Sequence, residues 1–130
     1  MPEKYFCVFA IDSLAGGGAE RVVVDILNNW PACDLKPLLL VNKLTGPYVA
    51  DLNKDIPVIK MKTEPHYRNT MAYGREIKAQ LAQFNVSVFI THLTGTNRLF
   101  LRLRCLRFIK EPIIVVEHNN IKLQFQQAER

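Results

Sequence analysis

Two short segments hold residues whose types and spacing suit chemistry on a phosphorylated or polyhydroxylated ligand. The first is Ser13-Leu14-Ala15-Gly16-Gly17-Gly18-Ala19-Glu20-Arg21. Three consecutive glycines let a ligand approach the main chain, and a helix opening near Ala19 would aim free amide groups and a partial positive charge at the same spot. A phosphate fits such a turn; a flexible strand-to-helix turn without a ligand is the plain alternative. The second segment is Glu117-His118-Asn119-Asn120, polar residues that directly follow an apolar run. There His118 could hold a hydroxyl or phosphate, move a proton near neutral pH, or serve as an ordinary hydrogen-bonded histidine. His92 follows another apolar run in the same way, whereas His66 beside Pro65 reads as a solvated loop residue.

Neither segment completes a standard nucleotide motif. Gly16 and Gly18 match the first two glycines of a dinucleotide fingerprint, but the third slot is Arg21, where close helix packing wants Gly or Ala. The second apolar run ends in Asn42-Lys43 instead of the acidic residue that would hold a ribose hydroxyl. No Gly-Lys-Ser or Gly-Lys-Thr follows the glycines, so a P-loop is excluded as well. Cys7, Cys33 and Cys105 are far apart, with no CxxC pair and no histidine at ligand spacing, so a metal site is not expected. They read as small buried hydrophobes in a reducing cytosol.

The elements that must position these residues follow from hydrophobic periodicity. Tyr5 to Ile11 is a continuous apolar run that suits a strand buried on both faces, and it is too short to span a bilayer. Ala19, Val22, Val23, Ile26 and Leu27 recur at helical spacing until Pro31. Leu38 to Val41 and Ile56 to Met61 predict a second and third strand, with a short helical turn through Tyr48 to Leu52 between them. Tyr73, Ile77, Leu81 and Phe84 share one helical stripe, with Asn85 as its stop. Val86 to Thr91 predicts a fourth strand, Thr96 is a candidate cap for a helix running to about Ile109, and Pro112 to Glu117 predicts a fifth strand. This alternation predicts an α/β, Rossmann-like three-layer domain with a mainly parallel five-stranded sheet. Ligands of such sheets bind beyond the carboxyl ends of the strands, where both chemical segments fall.

The chain has 130 residues, 48% of them hydrophobic, enough for one domain with a core and against disorder. A net charge of +5 favours anionic partners. Arg98, Arg102, Arg104 and Arg107 interleave with Leu99, Phe100, Leu101, Leu103, Leu106 and Phe108. Such a helix can lie on an anionic membrane, or be a crossover helix with a solvated basic face. Its core stripe is expected to be Leu99, Leu103 and Leu106. No stacking platform or nucleic-acid module accompanies the charge, so nucleic acid is not an expected partner.

The first segment, directly after a strand and opening an amphipathic helix, resembles the Gly-Gly-Ala-Glu-Arg signature of the N-terminal domain of family 4 GT-B glycosyltransferases. Val115-Val116-Glu117-His118-Asn119-Asn120 resembles that domain's later strand, which ends in a histidine facing the interdomain cleft. The resemblance spans essentially the whole chain, residues 1–130. It implies the N-terminal, acceptor-side half of a GT-B fold and retaining transfer from a nucleotide-sugar to a glycan or lipid-linked acceptor, as in polysaccharide biosynthesis, with no metal or other cofactor required. It further implies that Gly16, Gly17 and Gly18 lie against the donor diphosphate or the acceptor, and that His118 lines the reacting sugar. Glu20, His92 and Asn119 join these as candidate binding residues, Arg21 having the option of pairing with Glu20 or Asp25. The family's C-terminal donor domain, with its paired-glutamate motif, has no counterpart in this sequence, so the domain reads as truncated and inactive alone. The location implied is cytoplasmic, peripheral to the inner face of the membrane. Two other readings remain: a non-catalytic membrane-associated subunit that completes a separate donor domain, and an unrelated nucleotide-binding α/β protein.

Overall fold

The computed structural model describes residues 4–118. Strand β1 (Tyr5–Ile11) is the centre of a five-stranded sheet with β2 (Leu35–Val41), β3 (Val58–Lys60), β4 (Asn85–His92) and β5 (Ile113–Val116). The order is β3-β2-β1-β4-β5 and every pairing is parallel. The chain steps outward from β1 through β2 to β3, then crosses back to add β4 and β5 on the other side. Right-handed crossovers therefore place the helices of the two halves on opposite faces.

Side-chain alternation along the strands makes two cores. Cys7, Phe9, Ile11, Leu39 and Val41 face helix α1 (Gly18–Asn28), which contributes Ala19, Val23, Val24 and Leu27. Val8, Ala10, Leu38, Leu40 and Phe89 face helices α2 (Thr70–Leu81) and α3 (Thr94–Cys105), which contribute Tyr73, Ile77, Leu81, Leu99, Phe100 and Leu103. Three layers and a parallel sheet are the predicted architecture. The α1 stripe, however, is turned from the expected one: Val24 is buried, whereas Val22 and Ile26 are exposed.

The largest departure is α3. It starts at Thr94 with Leu93 as its N-cap, so Thr96, the expected cap, lies inside the first turn. It ends at Cys105 instead of Ile109 because Arg107 takes a left-handed conformation (φ 64°). The amide of Phe108 then donates to the Leu103 carbonyl and that of Arg107 to the Arg104 carbonyl. This is the paired closure of a Schellman motif, with arginine where glycine is usual. It folds Phe108 back against Gly74 of α2 and leaves Leu106 exposed, so Phe100 replaces Leu106 in the core stripe. Strand β3 is also shorter than its apolar run, although Met61 is still buried beyond it.

Of the three free cysteines only Cys7 is buried, which corrects the expectation for Cys33 and Cys105. Burial pushes the Cys7 thiol up to about 11, so it stays protonated and behaves as an apolar side chain.

Candidate functional site

The strand order reverses between β1 and β4, and the loops that leave these two strands border the crevice at that switch point. The β1–α1 loop is pinned, not flexible. Leu14 is fully buried, its amide donates to the Thr45 carbonyl, and its carbonyl accepts from Tyr48. Gly46 makes this contact possible, since a Cβ there would stand 2.0 Å from the Leu14 oxygen. Gly16 supplies the positive φ (97°) that turns the chain towards α1.

Beyond that turn, Gly17 is the N-cap of α1 and makes no side-chain cap. The first backbone bond of the helix runs from the Arg21 amide to the Gly17 carbonyl, so the preceding amides at the helix start have no intrahelical partner. A Cβ on Gly18 would meet nothing within 4 Å among the described residues, so none of them requires glycine there. A Cβ on Gly17 would fall 2.4 Å from a Glu20 carboxylate oxygen: the Glu20 side chain folds back over the helix start, where an anion is favoured. Arg21 turns away to pair with Asp25 at 3.2 Å and to lie over the Tyr48 ring.

Gly17, Gly18, Glu20, Leu93 and His118 line one cleft of about 470 Å³. The structure thus brings four of the expected residues together. Gly16 shapes the loop and does not line the cleft. His92 is 2% exposed and stands behind His118, its Nδ1 at 3.0 Å from His118 Nε2. Its other face stacks on Phe9. Asn119 lies outside the described residues.

Burial, reinforced by the His118 ring, holds the His92 imidazole down at about 4, so His92 is neutral at physiological pH. His92 Nδ1 and His118 Nε2 share one hydrogen bond whose direction the ring tautomers set, and His118 is the member that meets solvent. Its position is set from below. Glu117 Oε2 accepts from Thr94 Oγ1 at 3.0 Å and from Asn97 Nδ2 at 3.4 Å, and Asn97 also donates to the Val116 carbonyl. These bonds clamp the end of β5 to the first turn of α3.

Leu93, which joins β4 to α3, has φ 73° and ψ 150°, a region almost reserved for glycine. A branched side chain held there costs on the order of 1–3 kcal/mol, and such strain concentrates at functional sites. Its amide donates to the Val116 carbonyl at 3.2 Å, which fixes the kink.

Neither the clamp nor the kink follows from sequence pattern. The only signal is position: Thr94, Asn97 and Glu117 are polar residues next to predicted strand ends. Among the described residues no group of three His, Cys, Asp or Glu could hold a metal ion. Together the sheet order and the switch-point crevice define a Rossmann-like α/β domain. Comparison with protein-family models, curated proteins and solved structures finds no match.

Proposed function

We propose that the chain is the acceptor-side half of a retaining, family 4-like glycosyltransferase, using a nucleotide-sugar as co-substrate and a glycan or lipid-linked acceptor. The observation that carries this reading is that the uncapped start of α1 and the solvent-facing His118 line one cleft at the switch point. Gly17 and Gly18 offer amides and open space to a diphosphate or to acceptor oxygens. His118 takes a hydrogen bond from a hydroxyl of the reacting sugar, or gives one, with neutral His92 as its partner. Glu20 occupies the anion position and swings aside when a phosphate enters. The cleft takes the diphosphate on its own and a second, donor-side domain completes the donor site, so sugar transfer needs both.

Titration of the isotope-labelled chain with pyrophosphate and with UDP, GDP and ADP tests the cleft. Saturable shifts of the Gly17 and Gly18 amides support the reading, and their absence removes it. Sugar transfer that needs both this chain and an added donor-side domain, and that His118→Ala abolishes, would support the activity itself. Turnover by the chain alone would contradict it.

A second reading, of a membrane-bound subunit, draws on a different surface. Tyr67, Met71, Leu101 and Leu106 are 60%, 49%, 45% and 51% exposed, and Tyr67, Leu101 and Leu106 line one groove with Arg102. Arg98, Arg102 and Arg107 are exposed and make no ion pair among the described residues, whereas Arg104 donates to the Glu111 carbonyl. Apolar and cationic groups together suit an anionic lipid surface. No helix among the described residues is long and apolar enough to cross a membrane. Flotation with anionic and neutral vesicles decides: binding to neither removes this reading.

A further inference from the structure

A second cleft, of about 280 Å³, lies on the other side of Leu93. Its walls are Asp12 after β1, Asn42 after β2, Pro65, and Gly95, Thr96 and Leu99 of α3. Four observations define its chemistry. First, α3 has no side-chain cap, and its first backbone bond runs from the Asn97 amide to the Leu93 carbonyl. The amides of Thr94, Gly95 and Thr96 are left as donors at the helix start. Second, Thr96 is only 8% exposed, lines the cleft, and makes no side-chain hydrogen bond with any described residue. Its hydroxyl oxygen is open to the cleft, where it can bond a ligand or water. Third, among the described residues the sole formal charge on the walls is the Asp12 carboxylate. Asp12 Oδ1 accepts from Asn42 Nδ2 at 2.9 Å, and Tyr73 Oη donates to Asn42 Oδ1, so both the carboxylate and the amide are oriented from below. Burial, then the charges of Glu76 and Asp12, push the Tyr73 phenol above its ordinary value, which keeps it a donor. Fourth, Pro65 and Leu99 supply apolar wall.

A helix start alone would select an anion, but here a fixed carboxylate faces it. Donors at one end, a carboxylate acceptor at the other and apolar wall between them match a ring with vicinal hydroxyls: each hydroxyl donates to Asp12 or accepts from α3, and the C–H face packs on Pro65 and Leu99. We infer that the Asp12–Thr96 cleft binds a neutral sugar ring, and that it rejects a phosphorylated group. This rests on the glycosyltransferase reading, in which it names the acceptor's recognised part as an uncharged sugar seated beside the diphosphate cleft.

The test follows backbone amide shifts of the full chain on titration with methyl α-glucopyranoside, methyl α-mannopyranoside, N-acetylglucosamine and inorganic phosphate. The expected result is a saturable shift of Gly95 and Thr96 with at least one sugar and none with phosphate. Asp12→Asn, which keeps an acceptor for Asn42, should weaken the sugar by about tenfold or more, and Thr96→Val by a few-fold. Phosphate shifting Gly95 and Thr96, sugars shifting only Gly17 and Gly18, or no shift in an intact spectrum would each overturn the inference. Pyrophosphate read at Gly17 and Gly18 in the same spectra reports separately on the glycosyltransferase reading, so either can fail alone.

Discussion

Protonating His92 should cost this domain a large part of its stability between pH 6.5 and 4. The ring is 2% exposed, stacked on Phe9 and bonded to His118, and its folded-state value of about 4 lies below the 6.5 of an unfolded histidine. Between these values the unfolded chain binds a proton that the native state refuses, so stability rises with pH across this window. The contribution is fully present above pH 6.5, is lost as pH falls towards 4, and has no further slope below that. Lowering the pH from 7.5 to 4.5 should remove about 2.5 kcal/mol, at about 1.4 kcal/mol per pH unit, from a total typically of about 5–15 kcal/mol. Urea unfolding, followed by the fluorescence of Trp30, which packs edge-on against Phe9, gives the free energy at each pH. His92→Asn keeps a polar partner for His118 and cannot titrate in this window, so its pH slope should be shallower by that amount even where it is less stable overall. Equal slopes for the two proteins would refute the reasoning.

Three further outcomes follow from the same structure. Gly74→Ala would place a Cβ 2.4 Å from the Phe108 ring, so the variant should lose about 1–2 kcal/mol in urea unfolding despite alanine's better helix propensity. Arg107→Gly relieves a left-handed residue at the end of α3 and should gain about 0.5–1 kcal/mol, read as a higher melting temperature; a loss would mean that the arginine side chain outweighs the backbone strain. Glu20→Gln removes the carboxylate folded over the α1 start and should tighten pyrophosphate binding severalfold by calorimetry, an effect that added salt diminishes.

Much of the fold was legible because periodicity is strong where burial is two-sided. Tyr5 to Ile11 has no polar interruption, and its place at the centre of the sheet follows from burial on both faces. The ends of α3 were not legible. Thr94-Gly95-Thr96 has the composition of a loop, and its helical state depends on the Leu93 kink and on the Glu117 clamp, which exist only once β4 and β5 pair. At the other end the apolar pattern continues through Leu106, Phe108 and Ile109, and only the left-handed turn at Arg107 stops the helix. His92 and His118 each stood out as residues after strands. Their contact required the strand order, because β4 and β5 are neighbours in register at His92 and Val116. Tyr73 read as a core residue, which it is, but its hydroxyl also reaches Asn42 across the top of the sheet.

Gly18→Ala tests the central claim most directly. No described residue contacts a Cβ at this position, and alanine at the first turn of α1 should leave stability unchanged or raise it by up to about 1 kcal/mol. If the α1 start and His118 form a ligand cleft, pyrophosphate and UDP should shift the Gly17 amide saturably in the natural protein and bind the variant about tenfold or more weakly. Equal binding by the two proteins, or no binding by the natural one, would contradict the account.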